Sequence, residues 1–95
     1  MDADFEWDPR KATDNRRKHG VPFEEAVAAF ADTLSVTVPD PDHSGAGEER
    51  YILVGRSAEG RLLVVSYAER GAAIRIISAR PATRRERTQY EEGES

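Results

Sequence analysis

The chain has 95 residues, 34% of them charged, a formal net charge of −4 and no cysteine. That length predicts one domain over 1–95, since a second core would be too small to hold. The missing cysteine excludes disulfides, thiolate zinc sites and a cysteine nucleophile, and no run of about 18 apolar residues is present to span a membrane.

In chain order, "MDADFEWD" (1–8) is acidic and lacks the apolar core of an export signal, so a cytoplasmic location is expected. Within it "FEWD" (5–8) alternates apolar and acidic residues and predicts a short edge strand. Asp8 then reads as an N-cap with Pro9 at the first helical position, and Gly20 as the left-handed stop of a helix over about 9–19. Arg16, Arg17, Lys18 and His19 fall in its last turn, where the carbonyl end of the dipole favours cations by about 0.3–1 kcal/mol each. A second helix is predicted at about 23–31, with Phe23, Val27 and Phe30 on one face.

"LSVTVPD" (34–40) alternates like a strand, and "PDPDHSGAGEE" (39–49) is a Pro-, Asp- and Gly-rich loop. Three strands follow at 50–56, 61–69 and 73–79, joined by short Gly-containing links that imply antiparallel hairpins. Leu62–Val65 is apolar on both faces, as a central strand requires. Thr83 and Glu86 form a T-x-x-E capping box that opens a last helix over about 84–92. The expected class is α+β, an antiparallel sheet with two N-terminal helices and one C-terminal helix.

The charge is unevenly spread. Residues 1–49 carry twelve Asp/Glu against five Lys/Arg, whereas 50–90 carry nine Arg against three Glu. A basic face of this kind meets RNA, DNA or an acidic protein, or is simply a solvated surface. Arg84, Arg85 and Arg87 lie in the first turn of the last helix, where the dipole disfavours cations. Such a local conflict points to an awaited anion. The competing reading pairs these arginines with the acidic N-terminal half or with Glu91 and Glu92.

The strings "FEWDPRKATDNRRKHGVPFEEA", "DPDHSGAGEERY" and "ERGAAIRIISARPATRRERTQYEE" resemble the BrnT family of bacterial type II toxins, in the family's order from Phe5 to Glu92. Two departures stand out. Pro22 replaces the Ser of "GVSFEEA", and Tyr67 stands where "VVVHTER" has a His. The resemblance implies a RelE-like fold, ribonuclease activity, and neutralisation by a BrnA-like antitoxin of ribbon-helix-helix type. Operator DNA would be met only through the toxin–antitoxin complex. No cofactor is implied.

Metal-free RNA cleavage uses the 2′-hydroxyl as internal nucleophile. It needs a base for that hydroxyl, cations for the charge on phosphorus, and an acid for the leaving oxygen. Arginine suits the phosphate and histidine the proton transfers. The chain has two histidines, His19 and His43. His19, beside cations, is favoured over His43, which lies among acids; helix capping and Asp pairing are their respective structural readings. The Asp-rich loop has oxygen donors but no recognisable metal-ligand spacing. By analogy with RelE-like toxins, Arg80 is the first choice for phosphate, Arg75 the second, and Tyr90 a further catalytic candidate against its reading as a packing residue. Lys18, Arg70, Arg84 and Arg85 are candidates for RNA binding. Strand parity sets Arg75 and Arg80 on opposite faces unless the strand bulges between them. The alternative function is a non-catalytic basic module that docks an acidic protein or DNA.

Overall fold

A computed structural model of the chain describes residues 4–45 and 48–93. The first three residues, the centre of the Asp-rich loop at 46–47 and the tail end at 94–95 lie outside the described residues. The order is β1 (Asp4–Glu6), α1 (Pro9–His19), α2 (Phe23–Ala29), β2 (Val36–Pro39), β3 (Glu49–Arg56), β4 (Leu62–Arg70), β5 (Ala73–Pro81) and α3 (Arg84–Gly93). The sheet order is β1-β5-β4-β3-β2, with β1 parallel to β5 and every other pair antiparallel. This is the expected α+β arrangement. Among the described residues no helix is long and apolar enough to cross a membrane.

Local chemistry explains the boundaries. Asp8 accepts from the Arg10 N–H at 2.8 Å, and Gly20 closes α1 at φ 71° with its N–H on the Arg16 carbonyl. Pro22 precedes α2 without a side-chain cap. Strand β2 begins later than the alternation suggests because Asp32 takes the Leu34 N–H on its carboxylate at 3.0 Å and the Ser35 N–H on its carbonyl at 3.0 Å. That turn consumes the first two residues of the apolar run.

Helices α1 and α2 lie against one face of the sheet, called the inner face here. Val21, Phe23, Ala26 and Ala29 meet Leu53, Leu63, Val65, Tyr67, Ile76 and Ala79 in one core. Burying a side chain such as Phe23 contributes about 1.5–3 kcal/mol. Gly55 is needed where α2 crosses β3, since a Cβ there would sit 2.7 Å from the Ala29 carbonyl oxygen. At the rim, Glu25 accepts from Ser57 Oγ at 2.8 Å and Arg61 Nε at 2.9 Å. The Arg61 guanidinium holds the Glu25 carboxyl below the usual carboxylate range, although burial pushes it up.

Strand β1 pairs with β5 only from Ala73 to Arg75. Beyond that point one edge of β5 would be bare. Helix α1 covers it, and the Asn15 carboxamide replaces the missing strand. Its Oδ1 accepts from the Ala79 N–H at 3.0 Å, and its Nδ2 donates to the Ala79 carbonyl at 2.8 Å and to the Val21 carbonyl at 2.9 Å. Asn15 is itself buried. Removing it strands buried backbone groups that cost about 1–3 kcal/mol each. Asn15→Ala should therefore lower unfolding free energy by roughly 3 kcal/mol, read by urea denaturation; a change below about 1 kcal/mol means water replaces the amide.

Candidate active site

The outer face of the sheet is only partly covered. Helix α3 lies across it beside Val64, anchored by Tyr90, which is 3% exposed. The Tyr90 hydroxyl donates to Asp32 Oδ2 at 2.6 Å, and Arg56 lies over its ring at 5.7 Å. Burial pushes the Asp32 carboxyl up, but hydrogen bonds from Tyr90, the Arg56 N–H and the Leu34 N–H hold it below its ordinary value. Tyr90 is thus the pin of α3, with its hydroxyl committed to Asp32. The same hydroxyl is the group that the catalytic expectation for Tyr90 would use.

Strand β5 carries one residue more than β4 at its middle. Ser66 is opposite Ser78, but Tyr67 is opposite Ile76, so Ile77 is the extra residue of a β-bulge. Ile76 and Ala79 both face the core, which leaves Ile77 and Ser78 together on the outer side. The parity of the strand is reset between Arg75 and Arg80. Both arginines share the outer face, roughly 16 Å apart at about 3.3 Å per residue.

Three depressions meet at this bulge. The largest, about 350 Å³, runs between β2 and α3 and includes Val36, Val38, Ser66, Ser78 and Arg80. A second, bordered by Asp40, His43, Arg50 and Tyr51, shares Ser66 and Ser78 with the first. A third, bordered by Lys11, Asp14, Lys18 and His19 of α1, shares Ile77 and Ser78 with the second. Ser78 borders all three depressions, the first of which Arg80 also borders, the second His43, and the third Lys18 and His19. Arg50, Ser66 and Ser78 were not expected from sequence; the bulge turns Ser78 outward, and the pairing of β3, β4 and β5 brings Arg50 and Ser66 to it.

Arg70 and Arg75 are not in this trough. Both pair with Glu6 of β1, at 3.6 and 3.5 Å. Arg84 and Arg85 are exposed at the start of α3 and form no ion pair among the described residues. Tyr67 faces the core, stacked on Tyr51 at 5.4 Å, and burial pushes its phenol up. Tyr67 also borders the second depression, so its departure from the resembling pattern lies at the wall of the trough that carries His43.

A model of the family described as the ribonuclease toxin BrnT of type II toxin–antitoxin systems matches residues 7–86. The chain belongs to the BrnT family of ribonuclease toxins. Its fold is similar to the crystal structure of the Brucella abortus ribonuclease toxin BrnT, with 25% identity and a TM-score of 0.68 over 87% of this chain and 100% of that one. No curated protein sequence matches the chain.

Within this BrnT-family chain, Arg80 is held in a fixed pose. Its two terminal nitrogens donate to the two carboxylate oxygens of Glu86 at 2.8 Å each, and Nη1 also reaches the Pro81 carbonyl at 3.3 Å. Glu86 in turn accepts the Thr83 N–H at 2.8 Å, while Thr83 Oγ1 accepts the Glu86 N–H at 3.2 Å. The capping box of α3 is thereby bolted to the end of β5. The end-on pair leaves the Nε–H side of the guanidinium unbonded among the described residues, a second fork for an anion.

The Arg80 guanidinium holds the Glu86 carboxyl at about 2, against an ordinary 4.5. A depressed carboxyl contributes stability that is complete above its unfolded value and is lost as pH falls through the folded one. Wild type should thus lose stability relative to Glu86→Gln between pH 4.5 and about 2. Paired denaturation curves across that window check this; a constant difference removes the ion pair from the balance.

Proposed function

We propose that the chain cleaves RNA without a metal, inhibits translation in the cytoplasm, and is neutralised by a BrnA-like ribbon-helix-helix antitoxin. What carries the reading is that depressions bordered by Arg80, by His43 and by Lys18 with His19 share Ser78, in a chain of a ribonuclease toxin family. A pure docking module needs charge alone. Here a guanidinium held by Glu86 and two side chains of the type that changes charge near neutral pH border neighbouring depressions. Operator DNA enters only through the antitoxin complex.

In this reading Arg80 contacts the scissile phosphate through its unbonded Nε side. Glu86 limits its motion, so little order has to be gained on binding. Lys18 guides the strand along α1. Arg84 and Arg85 add affinity at the rim. Arg70 and Arg75, each shared with Glu6, have a smaller part in RNA binding than the sequence alone suggests. The antitoxin covers the same arginines with an acidic segment, since guanidinium groups that attract phosphate attract carboxylates.

Arg80→Ala should reduce cleavage of total RNA in EDTA by roughly 10²-fold or more, the scale of losing one charge-stabilising donor. Glu86→Gln with normal melting serves as the control for loss of the ion pair alone. Intact RNA after incubation with wild type in EDTA contradicts the metal-free reading, and binding to DNA alone favours the docking module.

The double variant Arg84→Ala/Arg85→Ala should bind RNA more weakly and with a flatter dependence on salt, because fewer counterions are released. The same variant should weaken antitoxin binding. An unchanged log–log salt slope takes both arginines off the phosphate path.

A further inference from the structure

Asp40 and His43 form a pair that the trough makes chemically useful. His43 Nδ1 lies 2.9 Å from Asp40 Oδ2. A carboxylate only accepts, so Nδ1 carries the proton and the lone pair of the neutral ring is on Nε2. The His43 side chain is 66% exposed, whereas that of Asp40 is only 18% exposed. The ring therefore has its orienting partner behind it and open space in front.

The turn bearing this pair is tied down at both ends. The Asp40 N–H donates to the Arg50 carbonyl at 2.8 Å, Ser44 Oγ donates to the Asp40 carbonyl at 3.0 Å, and the Arg50 N–H donates to Ser44 Oγ at 3.0 Å. Strand β3 thus holds the His43 turn through backbone groups. Glu48, next to this wall, is engaged by Arg50 at 3.2 Å. Tyr51, in the same depression, is no rival for a proton near neutrality. Its hydrogen bond to Glu49 pushes the phenol up to about 12.

We propose that His43 is the general base that removes the 2′-hydroxyl proton, with Asp40 as its positioning residue. This rests on the ribonuclease reading above. The 2′-oxygen forms a bond to phosphorus as its proton passes to His43 Nε2, and the bond from phosphorus to the 5′-oxygen breaks. The leaving 5′-oxygen takes a proton from an acid on the far wall, where His19 stands across the shared Ile77 and Ser78. The products are a 2′,3′-cyclic phosphate and a 5′-hydroxyl end. Base and acid lie on opposite sides of β5, as attack and departure on opposite sides of phosphorus require.

The test is steady-state cleavage of a single-stranded RNA in EDTA by the full chain and by His43→Ala, Asp40→Ala and Asp40→Asn, with melting temperatures alongside. His43→Ala should lose roughly 10²-fold or more in kcat with KM and melting unchanged, the range for one acid–base group. Added imidazole should restore part of that loss, since the base is exposed. Asp40→Ala should lower kcat and not KM, and Asp40→Asn should recover most of it, because the Asn carbonyl still accepts from Nδ1–H. Full activity in His43→Ala, or a loss confined to KM, overturns the assignment and leaves the ribonuclease reading in place. RNA left intact by the wild-type chain overturns that reading itself, and this inference with it.

Discussion

The extra residue in β5 is the constraint on which the outer face depends. If Ile77 were paired in regular alternation instead of bulged, counting on from the buried Ile76 would turn Ala79 outward and Arg80 inward. The bulge lets Ile76 and Ala79 both stay buried while Arg75 and Arg80 both stay out. A bulge also disrupts a ladder locally and increases twist. It is tolerated here because the backbone around it has another partner. Asn15 of α1 satisfies both polar groups of Ala79, two residues after the extra one. One carboxamide therefore ties α1, the end of α1–α2 at Val21, and the bulged strand into a single frame. The same contact brings Lys18 and His19 to the trough, since they lie on the turn that follows Asn15.

The parts of this fold written in local chemistry were legible. The Asp8 cap, Pro9, Gly20, the Gly-containing links between β3, β4 and β5 and the Thr83–Glu86 box each act within a few residues of themselves. What could not be read depends on separation in sequence. Asn15 looks like a solvent-facing polar residue of a charged helix, and nothing near it announces a bond to Ala79, 64 positions away. A bulge leaves no single residue type as its mark, so parity gave two incompatible placements for Arg75 and Arg80. Glu86 was recognised as a cap, yet its second task on Arg80 appears only when β5 and α3 meet. Tyr90 was open to two readings, packing and chemistry. A tyrosine near arginines suggested chemistry by analogy, while its burial against Asp32 rests on a helix position that sequence alone leaves undefined.

The basic half of the chain also changes meaning in three dimensions. Of its nine arginines, Arg50, Arg61, Arg70, Arg75 and Arg80 have a carboxylate partner. Their formal charge overstates the field that RNA would meet, because the Arg50, Arg61 and Arg80 pairs are nearly neutral beyond the Debye length of about 8–10 Å, while Arg70 and Arg75 share the single charge of Glu6. These arginines act by position. Arg61 secures Glu25 at the core rim, and Arg80 is aimed by Glu86. Arg84 and Arg85 stay unpaired among the described residues, at the end of α3 where the dipole opposes them. The Glu86 carboxylate in the same turn offsets that repulsion, so the helix carries its misplaced cations at reduced cost. A helix start with one fixed acid and two free arginines is stable enough to fold, yet still presents charge to an anion that arrives later. The local conflict in the sequence thus persists in the folded chain, softened by one carboxylate that also holds Arg80 at the edge of the first depression.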